Sequence, residues 1–194
     1  MKTLLISLIL LITSKDQGCL RMDLILVGDI SGSVQGNERF ISDAFVSFVD
    51  KFELSEEGIK IGIVLFNSNV YVINELSDNK EELMKSALSI RTLHADNNTF
   101  LSEGLISSLQ EFSNNGRIGY RKMIVLVTDG AADDKVKSRQ IVNQLNALGI
   151  EVCGILIASG SADPEFMKMT CGSCYVESDY ENLTKELLKL DVCL

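Results

Sequence analysis

A chain of 194 residues with 46% hydrophobic and 23% charged side chains is long enough for one domain with a full core, and its mixed composition excludes a disordered or fibrous segment. Its 27 acidic and 18 basic residues leave a net formal charge of −9, which argues against nucleic acid and anionic membrane as partners and suits a protein that binds cations. No low-complexity linker or internal repeat interrupts it.

Residues 1–13 pair an early Lys2 with a short apolar run, the pattern of a secretory leader, and the run is too short for a comfortable membrane span. The polar residues 14–18 that follow read as a cleavage region. The expected organisation is therefore a leader over residues 1–18 and one domain over residues 19–194, secreted and extracellular. Lipidation at Cys19 is disfavoured, because Asp16-Gln17-Gly18 lacks an apolar residue three positions before that cysteine.

Residues 22–28 form the first short apolar run of the kind that makes a buried strand. In residues 37–52, Phe40, Ile41, Ala44, Phe45, Phe48, Val49 and Phe52 recur at helical spacing and paint one broad face. Two further strands, residues 59–66 and 70–76, are separated by Asn67-Ser68-Asn69, short enough for an antiparallel hairpin. Residues 79–90 are amphipathic, and Leu101, Leu105, Ile106, Leu109 and Phe112 predict the next helix. A strand follows over residues 122–128, then a helix carrying Val136, Ile141, Val142, Leu145 and Leu148. The last strands are residues 150–158 and, more weakly, 174–177, and a final helix covers residues 180–190. The alternation predicts an α/β fold, doubly wound, with a mostly parallel six-stranded sheet, one antiparallel edge strand and helices on both faces.

In such a sheet, ligands collect beyond the carboxyl ends of the strands, so the residues after each strand carry the chemistry. After the first strand stands Asp29-Ile30-Ser31-Gly32-Ser33, after the fourth Thr128-Asp129-Gly130, and before the third helix Asn97-Asn98-Thr99. In an extended turn alternate side chains point the same way, so Asp29, Ser31 and Ser33 can face one ion, and Gly130 permits a sharp exit after Asp129. Two carboxylates and three hydroxyls offer only hard oxygen ligands, which suit Mg2+, Mn2+ or Ca2+ and argue against zinc.

This combination resembles the von Willebrand factor A-type family and its metal-ion-dependent adhesion site, an Asp-x-Ser-x-Ser motif completed by a distant Thr and a later Asp. Asp29, Ser31, Ser33, Thr99 and Asp129 meet that pattern, and the resemblance extends over residues 21–190. The family commonly carries glycines before the threonine and a polar residue soon after it. Here Asn97, Asn98, Phe100 and Leu101 occupy those places, and asparagine tolerates the positive backbone angles such a turn needs.

The resemblance implies that Ser31 and Ser33 coordinate the ion directly, Thr99 directly or through water, and Asp29 and Asp129 mainly through water or one direct bond. A poorly neutralised ion with one open position would then take a Glu or Asp from an extracellular protein ligand, giving an adhesion module and no enzyme. It also implies a last helix whose sliding changes affinity in some relatives.

Five cysteines in an exported chain suggest two bridges and one spare thiol. Cys153 lies in an apolar run and reads as a small buried hydrophobe. Cys19 and Cys193, near the two ends of the domain, are expected to pair, which would restrain the last helix, and Cys171 is expected to bridge Cys174 locally.

Other chemistries fit less well. His94 is the sole histidine and reads as a surface loop residue; no Gly-x-Ser-x-Gly elbow, dinucleotide fingerprint or phosphate loop is present. Asp133-Asp134 and Glu56-Glu57 read as solvated faces or helix starts, and Asp29, Ser31 and Ser33 could instead cap a helix. Metal-assisted hydrolysis and a metal-free scaffold remain the alternatives on this fold.

Overall fold

The computed structural model describes residues 21–93, 96, 98–160, 162–190 and 192. The leader expected over residues 1–18, the Cys19–Cys193 bridge, Asn97 and His94 lie outside these residues.

Each short apolar run becomes a strand of one sheet. The strands are β1 (Met22–Asp29), β2 (Ile59–Phe66), β3 (Val70–Ser77), β4 (Arg121–Thr128), β5 (Ile150–Ile157) and β6 (Tyr175–Ser178), in the spatial order β3-β2-β1-β4-β5-β6. All neighbours are parallel except β2 and β3, the hairpin at one edge. Parallel strands buried on both faces need apolar residues at nearly every position, and β1 is buried throughout. The chain winds from β1 outward to β3, then returns to lay β4 on the other side of β1. The crevice at that reversal is where a ligand is received.

Six helices cover the sheet: α1 (Glu38–Asp50), α2 (Lys80–Ser89), α3 (Leu101–Asn114), α4 (Lys135–Ala147), α5 (Pro164–Cys171) and α6 (Leu183–Lys189). Side chains alternate across the sheet, so Leu24 and Leu26 of β1 join one core with Phe45 and Phe48 of α1, Leu83 of α2 and Leu183 of α6. Ile25 of β1 joins the other with Leu105 of α3, Leu145 of α4 and Phe166 of α5. Three helices thus cover each face, five of them expected from the helical periodicity.

Helix α5 has no counterpart in the periodicity analysis. At 8 residues it is too short to repeat a hydrophobic stripe, burying only Phe166, Met167, Thr170 and Cys171. Its start is nonetheless encoded, since Asp163 accepts a hydrogen bond from the Phe166 N–H and Pro164 occupies the first turn.

The expected Cys171–Cys174 bridge is not formed. Cys174 is bonded to Cys153, with Cα atoms 4.8 Å apart, and Cys171 is a free, buried thiol. The reason lies in the sheet: the Cys174 carbonyl accepts the Gly154 N–H at 2.9 Å, which draws residue 174 alongside β5. Cys171 ends α5 with its sulfur against Gly154, where an added methyl would lie 2.9 Å away. Burial pushes the Cys171 thiol up to about 12, so it is inert at neutral pH. Because the bridge closes a separation of 21 residues, replacing both Cys153 and Cys174 with serine is expected to cost about 3 kcal/mol, read as a fall in urea midpoint.

Candidate metal centre

The carboxyl ends of β1 and β4 lie side by side, with Gly28 in register with Val127, so Asp29 and Asp129 leave the sheet as neighbours. Both are fully buried, as is Ser31, and Thr99 is 5% exposed, whereas Ser33 is exposed. The candidate ligands therefore form a closed floor with an open mouth.

Asp29 is held by two donors. The Ser31 N–H reaches one carboxylate oxygen at 2.9 Å and the Thr128 hydroxyl the other at 2.7 Å. Burial pushes its pKa from 3.8 up to about 6, hydrogen bonds from the Ser31 side chain, the Thr128 hydroxyl and the Ser31 N–H oppose this, and the Asp129 charge adds to the rise. No lysine or arginine among the described residues forms an ion pair with Asp29.

Ser31 and Ser33 bring their hydroxyl oxygens within 3.2 Å of each other. The convergence expected from the motif is present, but its cause differs. Instead of a fully extended turn, the chain is extended at Ser31 and Gly32–Val34 then coil into a single 3₁₀ turn that swings Ser33 back.

Two ties bring the third loop in. Ser31 bridges Asp96, and the Asp133 carboxylate accepts the Thr99 N–H at 2.8 Å while the Thr99 carbonyl accepts the Asp133 N–H at 3.0 Å. Asp134 accepts the Ser102 N–H at 3.1 Å and the Ser138 hydroxyl at 2.9 Å. As expected of solvated faces or helix starts, Asp133 is exposed and Asp134 stands at the start of α4, and the two acids also clamp the Thr99 loop to the loop after β4. Gly130, at φ +77°, makes the sharp exit that places them there.

A family model for the von Willebrand factor type A domain matches residues 23–189. The chain belongs to that family. Mouse integrin alpha-2 is 26% identical over 144 residues, covering 70% of this chain and 12% of the integrin, so the A domain spans about an eighth of that relative. The manganese-loaded TRAP protein of Plasmodium vivax superposes with a TM-score of 0.74 at 19% identity, covering 87% of this chain and 72% of TRAP. Proximal thread matrix protein 1 from the mussel byssus, in a form with zinc in its metal-ion-dependent adhesion site, gives 0.75 at 18% identity, covering 89% and 45%.

The A domain's candidate ligands present a donor set whose chemistry fits a hard divalent cation. No cluster of three His, Cys, Asp or Glu side chains suited to a metal occurs among the described residues, so hydroxyls must contribute, and the paired Ser31 and Ser33 oxygens supply them. A buried carboxylate without a basic partner, next to a second acid, is the electrostatic complement of such an ion. Sequence reasoning missed the supporting residues. Thr128 was visible only as the residue before Asp129, and Ser159, whose hydroxyl lies 3.4 Å from the Asp129 carboxylate, stands just past β5 with no motif around it.

Among the described residues no helix is long and apolar enough to cross a membrane.

Proposed function

We propose that this A domain is a secreted, divalent-cation-dependent adhesion module that binds an extracellular protein through a Glu or Asp of that partner. Asp29, Ser31, Ser33, Thr99 and Asp129 would hold the cation, most simply Mg2+, with Mn2+ or Ca2+ as substitutes. The carrying observation is the paired Ser31 and Ser33 oxygens, 3.2 Å apart, beside a buried acid pair. The manganese in TRAP and the zinc in the mussel protein support a divalent ion, and the likeness to an integrin supports adhesion.

When bound, the cation supplies positive charge at the mouth of the crevice. The chain's own groups do the rest. Thr128 and the Ser31 N–H orient the Asp29 carboxylate, Asp133 fixes the backbone at Thr99, and exposed Ser33 marks the side open to a partner. Residues 1–18 are proposed as the leader that exports the domain of residues 19–194, and Cys19 with Cys193 as a bridge joining its ends.

The reading is tested by capture from extracellular material with the wild-type protein in Mg2+, the same in chelator, and the Asp29→Ala variant in Mg2+. A partner retained only in the first is expected. Equal retention in all three would remove the cation from the mechanism.

A further inference from the structure

We propose that Tyr180 is a positioning residue of the metal centre, its hydroxyl completing the hydrogen-bond shell around a cation held by Asp29, Ser31, Ser33, Thr99 and Asp129; this rests on the function proposed above. The observation behind it is an unmatched polar atom. The Tyr180 hydroxyl oxygen is enclosed and has no hydrogen-bond partner among the described residues. Among the described residues only one other buried side-chain oxygen shares that condition, Ser102 on the first turn of α3. Native interiors rarely leave such a group orphaned unless a water, ion or ligand meets it.

The fold brings the Tyr180 phenol to the same end of the sheet as the acid pair, within electrostatic range of Asp129 and Asp29. Strands β4, β5 and β6 are consecutive neighbours, and Ser178, the last residue of β6, accepts the Ala158 N–H at 2.7 Å. Asp129, Ser159 and Tyr180 thus follow three adjacent strand ends, and Ser159 already reaches Asp129. From the other side Phe40 of α1 holds the ring, with centroids 5.9 Å apart. Helix α1 begins directly after the turn carrying Ser31 and Ser33, since the Asn37 N–H donates to the Val34 carbonyl at 2.8 Å. Burial, with Asp129, Asp29 and Glu38 nearby, pushes the ionisation of Tyr180 well above its usual value, so the phenol keeps its proton.

Packing alone does not account for the residue, because a phenylalanine would meet Phe40 equally well. A phenol both donates and accepts. Its oxygen can accept from water bound to a cation while its proton is donated to a second water toward the acid pair, and such outer partners fix the ligands that touch the metal. The hydroxyl is then a liability in the cation-free protein and an asset in the loaded one.

This opposite sign is the test. Tyr180→Phe keeps the ring and deletes only the oxygen. Mg2+ is titrated calorimetrically into the full chain and its Phe variant, while tyrosine absorption is followed; with four tyrosines and no tryptophan, the signal is readable. The variant is expected to melt at the same or a higher temperature without cation, to bind Mg2+ roughly tenfold more weakly, and to lose the cation-induced change in absorption. Wild-type affinity in the variant, or an absorption change that survives the substitution, would overturn the role of Tyr180 while leaving the metal site standing. A wild-type protein that binds no Mg2+ would overturn both.

Discussion

Without divalent cation at pH 7, Asp29→Asn is expected to melt at or above the temperature of the wild-type protein, and to bind Mg2+ roughly a hundredfold more weakly or worse. The asparagine has nearly the shape of the acid and can still accept the Ser31 N–H, while the Thr128 hydroxyl can turn to accept from the amide. What it removes is a buried charge whose pKa stands at about 6 against 3.8. That displacement corresponds to a penalty on the order of 3 kcal/mol on the ionised folded state. For an acid whose folded pKa exceeds its unfolded one, the penalty is absent below the unfolded value and complete above the folded one. Cation-free wild-type protein should therefore lose this increment as pH rises from about 4 to 6, and the variant should not. Saturating Mg2+ closes most or all of that gap, since the wild-type protein gains about 2.7 kcal/mol by mass action at a hundred times its Kd and the variant gains far less. Thermal melts at pH 4.5 and 7, with chelator and with Mg2+, read all four states. If the variant melted far below the wild-type protein at pH 7 in chelator, Asp29 would be a structural acid and not one waiting for a cation.

The same property explains why the site was legible in the sequence. Candidate ligands on adjacent strand ends sit at fixed distances from apolar runs, so Asp29 and Asp129 can be located from β1 and β4, and Ser31 and Ser33 from their spacing to Asp29. The groups that hold those ligands follow no such spacing. Asp133 reaches Thr99 across 34 positions and Thr128 reaches Asp29 across 99, so each meets its partner only once the sheet has formed. Tyr180, proposed as a further positioning residue, is the extreme case, carried to that end of the sheet by the order of β4, β5 and β6.

The fold was legible for a related reason and failed in instructive places. A strand or helix declares itself when its period repeats, as in α1, where Ile41, Ala44, Phe45, Phe48 and Val49 cover more than two turns. Helix α5 ends before its stripe recurs. The disulfide partner of Cys174 was hidden because close spacing along the chain suggested Cys171, whereas pairing of β5 with β6 brought Cys153 nearer.

At the end of the sheet away from the acid pair, Arg117→Met is expected to destabilise the domain by about 3–5 kcal/mol while leaving the cation affinity of the folded protein unchanged. Arg117 and the fully buried Asp23 of β1 form an ion pair at 2.6 Å, and the Arg117 backbone N–H donates to the other Asp23 oxygen at 2.6 Å. The guanidinium also donates to the carbonyls of Met22 and Gly58, each at 2.9 Å, and to that of Glu56 at 2.5 Å, so it joins the start of β1 to the turn before β2. Methionine fills the space and leaves Asp23 charged, buried and without its cation. Adding Asp23→Asn should recover part of the loss, because the uncompensated charge, not the missing contacts, dominates it. Asp23 and Asp29 lie six residues apart on one strand, roughly 20 Å, too far for the two acids to share an effect. Urea midpoints of the single and double variants, with Mg2+ titrations of each, separate the two ends. A change in cation affinity as large as the change in stability would show that the Arg117 cluster and the metal centre behave as one unit, against the division of labour drawn here between the end of the sheet that secures the fold and the end that binds.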